Sequence, residues 1–458
     1  MTVERDAGIA VPGEPDYAAA TQVFNLHAPA RPAAAMTART VEDVRAAVRY
    51  ARAERMPVRV HTTGHGAGAA GAMENALLIR TQLDGEVVLD PQRRLVRAPA
   101  GTRWAEIVDA AAKHGLAVPH GTSGDVGVVG YSLRGGISIY GRKVGLAVNS
   151  VRAVELVTAD GELRRVDQDD DPELFWAVRG GGGGFGVVTA IELAMFPAEQ
   201  VITGATFWPG SRAAEVLDRW LAWTADAPPE ATTSLQLLNL PDAPVVPDFL
   251  KRGTVIAIGG TVLGSDPDPQ AAWEQAQRLL EPLRRIGDPL MDTWQVCSPA
   301  VAARAQLAPD QPSPLTGEHL LLDDLGDRGA AAFLEVTGPG SGSELVTAEL
   351  RHLGAAFAEP TDAGGAFSRL GAAYAYLGVA VPDGLDGAAD IERHCAVVRA
   401  ALGPWDTGRT APTLVESGSQ PQAHLEPDVV DAVDRVRLRV DPDGLFRGDI
   451  VAGASRLR

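Results

Sequence analysis

Apolar positions in the first half of the chain alternate between a helical and a strand-like spacing. After Thr40-Val41-Glu42-Asp43, residues Val44, Ala47, Val48 and Ala51 recur three or four apart, which places them on one helix face. Thr40 can accept from the first-turn N–H groups, and two acids follow where the helix dipole favours them. Pro57 ends that helix. Short apolar runs at Val58–Val60, Leu77–Ile79, Val87–Leu89 and Leu95–Arg97 then predict strands, the last three spaced too closely for intervening helices. Trp104–Lys113 predicts a helix with Ile107, Val108 and Ala111 on one side and Gly115 as its stop. Beyond it, Val151–Thr158 reads as a strand, Asp160-Gly161 as a hairpin turn, Pro172–Val178 as a short helix and Val187–Leu193 as a strand. Near the start, Asp16–Val23 predicts a short helix capped by Asp16. The pattern is a mixed α+β layer rather than a regular doubly wound sheet.

The pattern changes near Pro197–Gln200. Helical periods appear at Ala213–Ala225, Pro269–Ile286 and Ser343–Ala356. Strand-like segments appear at Ser234–Leu240, Thr254–Leu263, His319–Leu322 and Tyr374–Val381. This middle part holds Trp208, Trp220, Trp223, Trp273 and Trp294, side chains that suit an organic-substrate pocket but more commonly fill cores. Over Glu426–Arg447 a helical period returns with Val429, Val430, Val433 and Val436, and Asp441-Pro442-Asp443-Gly444 is a turn. The boundaries read as residues 1–200, 201–405 and 406–458.

Bulk composition narrows the function classes. The 458 residues exceed one ordinary core. Hydrophobic residues form 45% and charged residues 22%, so the whole length reads as globular. A formal net charge of -18 argues against nucleic acid or an anionic membrane as partner. No apolar run approaches the roughly 20 residues of a membrane span. The N-terminus, with Glu4 and Asp6, lacks a signal pattern. Cys297 and Cys395 are far apart in sequence; a structural disulfide is one reading, and two buried free thiols in a reducing compartment the favoured one, which with the missing span and signal pattern predicts a cytoplasmic protein. Nothing in the pattern sets an oligomeric state.

Three small-residue stretches carry the candidate chemistry. The first is Val58-Arg59-Val60-His61-Thr62-Thr63-Gly64-His65-Gly66-Ala67-Gly68, whose Thr62, Thr63, Gly64, Gly66 and Ala67 offer unhindered N–H groups for an anion. His61 and His65 are four apart, but on a strand and a turn that spacing does not make a metal pair, and no metal site is expected. The ordinary reading of His65 is a hydrogen-bonded loop histidine. The second stretch is Gly121–Gly141, either a buried turn or a backbone wall against a planar ring. The third is Gly180–Gly186. A dinucleotide fingerprint needs a strand before it and a helix after it, the reverse of the order here. Its glycines still cost backbone entropy, and they would let a flat or phosphorylated ligand approach closely; the alternative is a solvent loop.

The order of these motifs resembles the berberine-bridge-enzyme-like flavoproteins, of the vanillyl-alcohol-oxidase (PCMH-type) FAD-binding fold. Arg142-Lys143-Val144-Gly145-Leu146 and Asp171–Arg179 running into the glycines carry the likeness, which covers residues 15–200. It returns over Val433–Gly448, where Arg439–Arg447 resembles the family's closing motif. The resemblance implies an α+β fold with a PCMH-type FAD-binding domain of two α+β subdomains. It also implies an α+β substrate domain with an antiparallel sheet covered by helices, and a C-terminal segment returning to the FAD domain.

The resemblance further implies that Val58–Ala67 is the pyrophosphate loop and that His65 is the flavin's covalent anchor through its 8α-methyl group. Thr122, Ser123 and the Val126–Gly141 segment, with Val126, Gly127, Gly130, Gly135, Gly136, Ser138, Tyr140 and Gly141, would run beside the isoalloxazine. Gly186, Val187 and Val188 would touch the flavin or its ribityl chain. Where members carry Cys-Pro-Thr-Val-Gly this chain reads Ser123-Gly124-Asp125-Val126-Gly127, so no cysteinyl link is expected. Val126 matches a position where valine goes with oxygen access.

Other positions depart from the family. Arg134-Gly135-Gly136-Ile137-Ser138 replaces a Gly-Gly-Gly-x-Gly run, and Tyr131 replaces a histidine. Arg134 would bind an acidic substrate or stabilise a reduced flavin; otherwise it reaches solvent or a carboxylate. The family's catalytic tyrosine has no counterpart in Thr413–Gly418. Glu416, beside an apolar pocket, is the candidate base, with exposure at the surface as the alternative. The function implied is an FAD-dependent oxidase. Hydride would pass from a small natural-product-like or sugar-like alcohol to flavin N5 and then to O2. Two readings compete: a flavoprotein cyclase or isomerase without net redox turnover, and a flavin-binding protein without catalysis, which charge and length do not support.

Overall fold

The Thr40 side chain accepts from the Asp43 N–H at 3.1 Å, and Asp43 accepts from the Thr40 N–H at 2.9 Å. This reciprocal cap starts the helix Val41–Ala53, whose buried face is Val44, Ala47, Val48 and Ala51, as the spacing predicts. In the computed structural model, which describes residues 8–448 except 243, 245, 252, 265–268, 306–310, 362–363, 419 and 421–422, this helix packs on a three-stranded parallel sheet. Its order is Ala34–Ala38, Leu77–Thr81, Val58–His61. Glu4 and Asp6 lie outside the described residues. The first helix spans Pro15–Ala20 and not Asp16–Val23: Pro15 occupies its first turn, Glu14 is the cap residue and Asp16 lies inside.

A second, five-stranded antiparallel sheet follows, ordered Val88–Asp90, Leu95–Pro99, Val187–Ala194, Val151–Val157, Leu163–Asp167. The helices Trp104–Ala112 and Pro172–Val178 share its apolar core. The C-terminal helix Pro427–Val440 adds Val430, Val433 and Val436 to the same core. Beyond it the chain pairs with the parallel sheet: the Val58 N–H donates to Leu445 O at 2.7 Å, and the Arg447 N–H to Val58 O at 3.0 Å.

Residues 201–380 build an eight-stranded antiparallel sheet. Its strands run Met291–Asp292, Val201–Pro209, Val255–Val262, Ala231–Leu238, Thr347–His352, Tyr374–Ala380 and Thr316–Leu322, with Gln295–Cys297 also on Val201–Pro209. Side chains alternate across it. Leu235, Leu320, Leu350 and Tyr376 pack into a core shared with the helices Ala213–Thr224, Pro269–Arg284, Gly326–Thr337 and Gly384–Leu402. On the opposite face Leu321, Ala375 and Leu377 join the core of the N-terminal half. The sheet is therefore covered on both faces, once by its own helices and once by the rest of the chain.

The helix expected over Ser343–Ala356 is instead the strand Thr347–His352, hydrogen-bonded to Ala231–Leu238 on one side and Tyr374–Ala380 on the other. Charges at buried Glu349 and half-buried Arg351 interrupt the apolar run and hide its strand-like alternation. The five tryptophans named above do not line the main cavity: they belong to, or pack against, the core under this sheet. Both cysteines are free thiols, Cys395 buried and Cys297 only half-buried. Among the described residues no helix is long and apolar enough to cross a membrane, and no group of three His, Cys, Asp or Glu side chains could hold a metal.

Candidate functional site

One cavity of about 700 Å³ lies where the three sheets meet. That volume sits in the upper part of the range for small-molecule and cofactor sites, roughly 300–1,000 Å³. The loop after the strand Val58–His61 contributes Thr62, Thr63, Gly64, His65, Gly66 and Ala67. From the next small-residue stretch come Thr122, Ser123, Val126, Gly127, Gly130, Tyr131 and Arg134. The glycine run adds Gly182, Gly183, Gly184 and Gly186, followed by Val188. Glu416 reaches the same wall from the C-terminal segment.

Six sequence-predicted residues lie elsewhere. Gly135 is pressed against Phe367, and Gly136 against Tyr131 and Ala147. Gly141 backs onto the Phe357 ring. Ser138 is buried, and its hydroxyl accepts from the Tyr140 N–H at 3.1 Å. Tyr140 is packed edge-on to His120 and Phe196. Val187 points away from the cavity, as the neighbour of Val188 on one strand must, and fills the core beneath the parallel sheet. The physical reason for most of these shifts is a short helix, Val128–Leu133, where a continuous turn was expected. It presents Gly130, Tyr131 and Arg134 to the cavity and carries the following residues behind the wall.

His65 opens a helical turn, His65–Ala69, after Gly64 in the left-handed conformation at φ 72°. At Gly64 a Cβ would lie 2.6 Å from the Val23 backbone, so only glycine fits. The first N–H groups of that turn have no intrahelical acceptor. Thr63 Oγ1 is 2.8 Å from His65 Nδ1, and the Phe24 ring stacks on the imidazole at 3.8 Å. His65 Nε2 is buried with no hydrogen-bond partner. Burial holds the imidazole neutral, its pKa lowered to about 4.

Glu416 is the cavity's titratable carboxylate on the C-terminal side. Burial pushes its pKa up to about 7, and nearby Arg351 partly opposes that rise. Its position is fixed through the backbone: the Glu416 N–H donates to Gln420 Oε1 at 3.0 Å, and Gln420 Nε2 donates to His319 O at 3.1 Å. The Ala411 N–H donates to His319 Nε2 at 3.0 Å. The eight-stranded sheet thus holds both ends of the segment that presents Glu416. Tyr131 donates its hydroxyl hydrogen to Ile137 O at 2.7 Å, and burial raises its pKa well above the ordinary value. A phenol so held acts as a fixed dipole rather than a base. The Arg134 guanidinium lies against Gly66, where a Cβ would collide with it.

Sequence reasoning missed two parts of the wall. Val23, Phe24 and Asn25 line it, although the sequence placed Val23 only at the end of a short helix and assigned no role to Phe24 or Asn25. Asn25 is buried, and its Oδ1 accepts from the N–H groups of His27 and Leu315, joining this segment to the larger sheet. Leu315, Arg351 and Leu377 were also missed. Arg351 carried no sequence signal beyond a charge inside an apolar run.

The residues present fit a flavin dinucleotide on two observations. A Cβ built at Gly130 meets no atom within 4 Å, so the wall there is bare backbone facing open space. The orphaned Nε2 of His65 sits in the same cavity. The glycine run is less open than expected. A Cβ at Gly184 would press on Arg437, and one at Gly186 on Val157 O. Arg437 binds Gly181 O and Gly183 O at 3.0 and 3.1 Å, so the run is held by the C-terminal helix and is not a solvent loop.

Comparison with known proteins agrees. Residues 32–167 match the family model described as FAD binding domain. The chain is 29% identical over 281 residues to the protein called uncharacterized FAD-linked oxidoreductase YgaK of Bacillus subtilis (strain 168), covering 60% of this chain and 58% of that one. It is 31% identical over 229 residues to the carbohydrate oxidase of Microdochium nivale, covering 47% and 46%. The chain therefore spans about half the length of the curated relatives it matches. The wild-type BBE-like 1 structure of Physcomitrella patens superposes with a TM-score of 0.84 at 17% identity, covering 97% of this chain and 96% of that one. Residues 32–167 are thus an FAD-binding domain, the chain has the PCMH-type fold of the berberine-bridge-enzyme-like flavoproteins, and its homologues are FAD-linked oxidoreductases.

Proposed function

We propose that the chain is an FAD-dependent oxidase of a small hydroxylated, sugar-like or natural-product-like compound. The observation that carries this reading is Glu416, a carboxylate poised near neutrality in the cavity that His65 and Gly130 also line. Residues 62–67, Thr122, Ser123, Val126, Gly127, Gly130, Gly186 and Val188 would hold the cofactor, with His65 bonded to it through Nε2. With its hydrogen on Nδ1 and donated to Thr63 Oγ1, the neutral imidazole would leave Nε2 with a free lone pair as the nucleophile. Bound FAD supplies the two-electron acceptor for a carbon-bound hydrogen and passes the electrons to O2, giving hydrogen peroxide.

The protein's own chemistry is then proton removal and orientation. Glu416 takes the proton of the substrate hydroxyl, because a carboxylate with a pKa near 7 is a base at neutral pH and a stronger one than an exposed glutamate. Tyr131 keeps its proton and orients the pocket. The larger sheet closes the substrate side with Leu315 and Leu377. Residues 1–200 and 406–458 form the cofactor side in this reading, and residues 201–405 the substrate side. Free thiols at Cys297 and Cys395 support a reducing, cytoplasmic setting.

The test is anaerobic mixing of the FAD-loaded protein with hydroxylated substrates, followed by air. Bleaching of the flavin absorbance and then one peroxide per turnover supports the oxidase. Product formation with no bleaching would instead establish the non-redox cyclase.

A further inference from the structure

Arg351 lies on the strand Thr347–His352, in the cavity wall, and the oxidase reading leaves it without a task. Its Nε is 2.9 Å from Glu349 Oε2, an ion pair with a buried carboxylate on the same strand face. Among the described residues, no hydrogen bond engages its two terminal nitrogens, and its side chain stays 18% exposed, toward the cavity. It shares the cavity wall with the proposed base, and its charge is felt by Tyr131, His319 and Glu416. A guanidinium held by this ion pair and open at its outer edge can present two parallel N–H donors, the geometry that a carboxylate accepts in a bidentate pair. The net charge of -18 repels anions at long range, so an anionic substrate would need such a local cation.

We propose that Arg351 is a specificity-determining residue that binds the carboxylate of the substrate, which makes the preferred substrate a hydroxylated carboxylic acid, a sugar acid or a small hydroxy acid. The inference rests on the oxidase reading for the fate of the hydroxyl, but not for the binding of the carboxylate. In the bound pair the carboxylate stays unchanged. The hydroxyl oxygen loses its proton to Glu416, the carbon loses its hydrogen and an electron pair to the flavin, and the product is the corresponding oxo acid. Glu349 keeps Arg351 oriented, and the second negative charge reaches the guanidinium only when substrate is present.

The experiment is calorimetric titration of the FAD-loaded full chain with D-galacturonate against D-galactose, and with lactate against propane-1,2-diol. At least one acid should bind roughly 30-fold or more tightly than its neutral partner, as hydrogen bonds to charged groups warrant. Arg351→Gln should erase that preference and Arg351→Lys restore part of it. Because Arg351→Gln leaves Glu349 unpaired, the double variant Glu349→Gln/Arg351→Met serves as a control that buries no lone charge. It should fold, keep its colour and lose the preference. In turnover, Arg351→Gln should raise KM for the acid far more than it lowers kcat. Equal affinity for acids and neutral partners, no binding of either acid, or an unchanged preference in the double variant would each overturn the proposal. A colourless protein that still selects the acid would refute the flavin reading alone. A yellow protein indifferent to charge would refute this inference alone.

Discussion

The Ala411 N–H donates to Nε2 of His319 across 3.0 Å, while Nδ1 of the same ring lies 2.8 Å from Tyr376 O. One imidazole, neutral and with its hydrogen on Nδ1, thereby ties the C-terminal segment to the larger sheet. Burial lowers its pKa from 6.5 to about 4. In the unfolded chain the ring takes up a proton near 6.5. Its contribution is therefore complete above that pH and is lost as pH falls from 6.5 to about 4. The loss is about 3 kcal/mol at pH 4. Thermal melts from pH 7 to pH 4 should show a falling midpoint, and His319→Gln, which keeps an acceptor without a titrating ring, should fall less steeply.

Glu416 predicts the pH dependence of turnover. With its pKa raised to about 7, kcat/KM should climb through neutrality as the carboxylate forms and level off above it. Glu416→Gln should lower kcat about 100- to 10,000-fold, the usual worth of a general base, and flatten that limb. A variant with normal turnover and an unaltered profile would remove Glu416 from the reaction.

His65 predicts how the cofactor is attached. Acid precipitation of the loaded protein should carry the yellow colour into the pellet, and His65→Ala should release it to the supernatant while still binding FAD. Colour left in solution by the parent protein would limit His65 to packing beneath Phe24.

Arg437 predicts a stability effect that does not depend on a ligand. It satisfies Gly181 O and Gly183 O and pairs with Asp434. Arg437→Ala would leave the buried Gly181 carbonyl without this donor, a cost of about 1–3 kcal/mol. Denaturant titration should show that loss, and hydrogen exchange should open first at residues 180–186.

The sequence made the N-terminal half legible because its signals are local. Thr40 with Asp43 caps a helix, Val44 to Ala51 mark its buried face, and Asp160-Gly161 closes a hairpin. The cavity loop 62–67 was legible for the same reason: glycines beside a lone histidine have a local meaning. Arg351 and Phe24 were not legible, because each matters only through the long-range contact that brings it to His65 or Glu416. Gly135, Gly136 and Gly141 misled for a related reason. A glycine that admits a ligand and one that admits a phenylalanine ring look alike until the neighbour is known.

A side chain at Gly130 would fill the space assigned to the flavin. Gly130 sits within the helix Val128–Leu133, where a side chain costs the backbone nothing, and a Cβ there meets only the open cavity. FAD binding should be measured by fluorescence titration of refolded, cofactor-free protein in the His65→Ala background, from which the cofactor can be removed, as parent and with Gly130→Leu added. Tight binding is expected of the parent, and in the variant at least about a tenfold loss, about 1.4 kcal/mol, with an unchanged melting temperature of the cofactor-free form. A parent protein that refuses FAD, or a variant that binds it equally well, would contradict the placement of the flavin in this cavity.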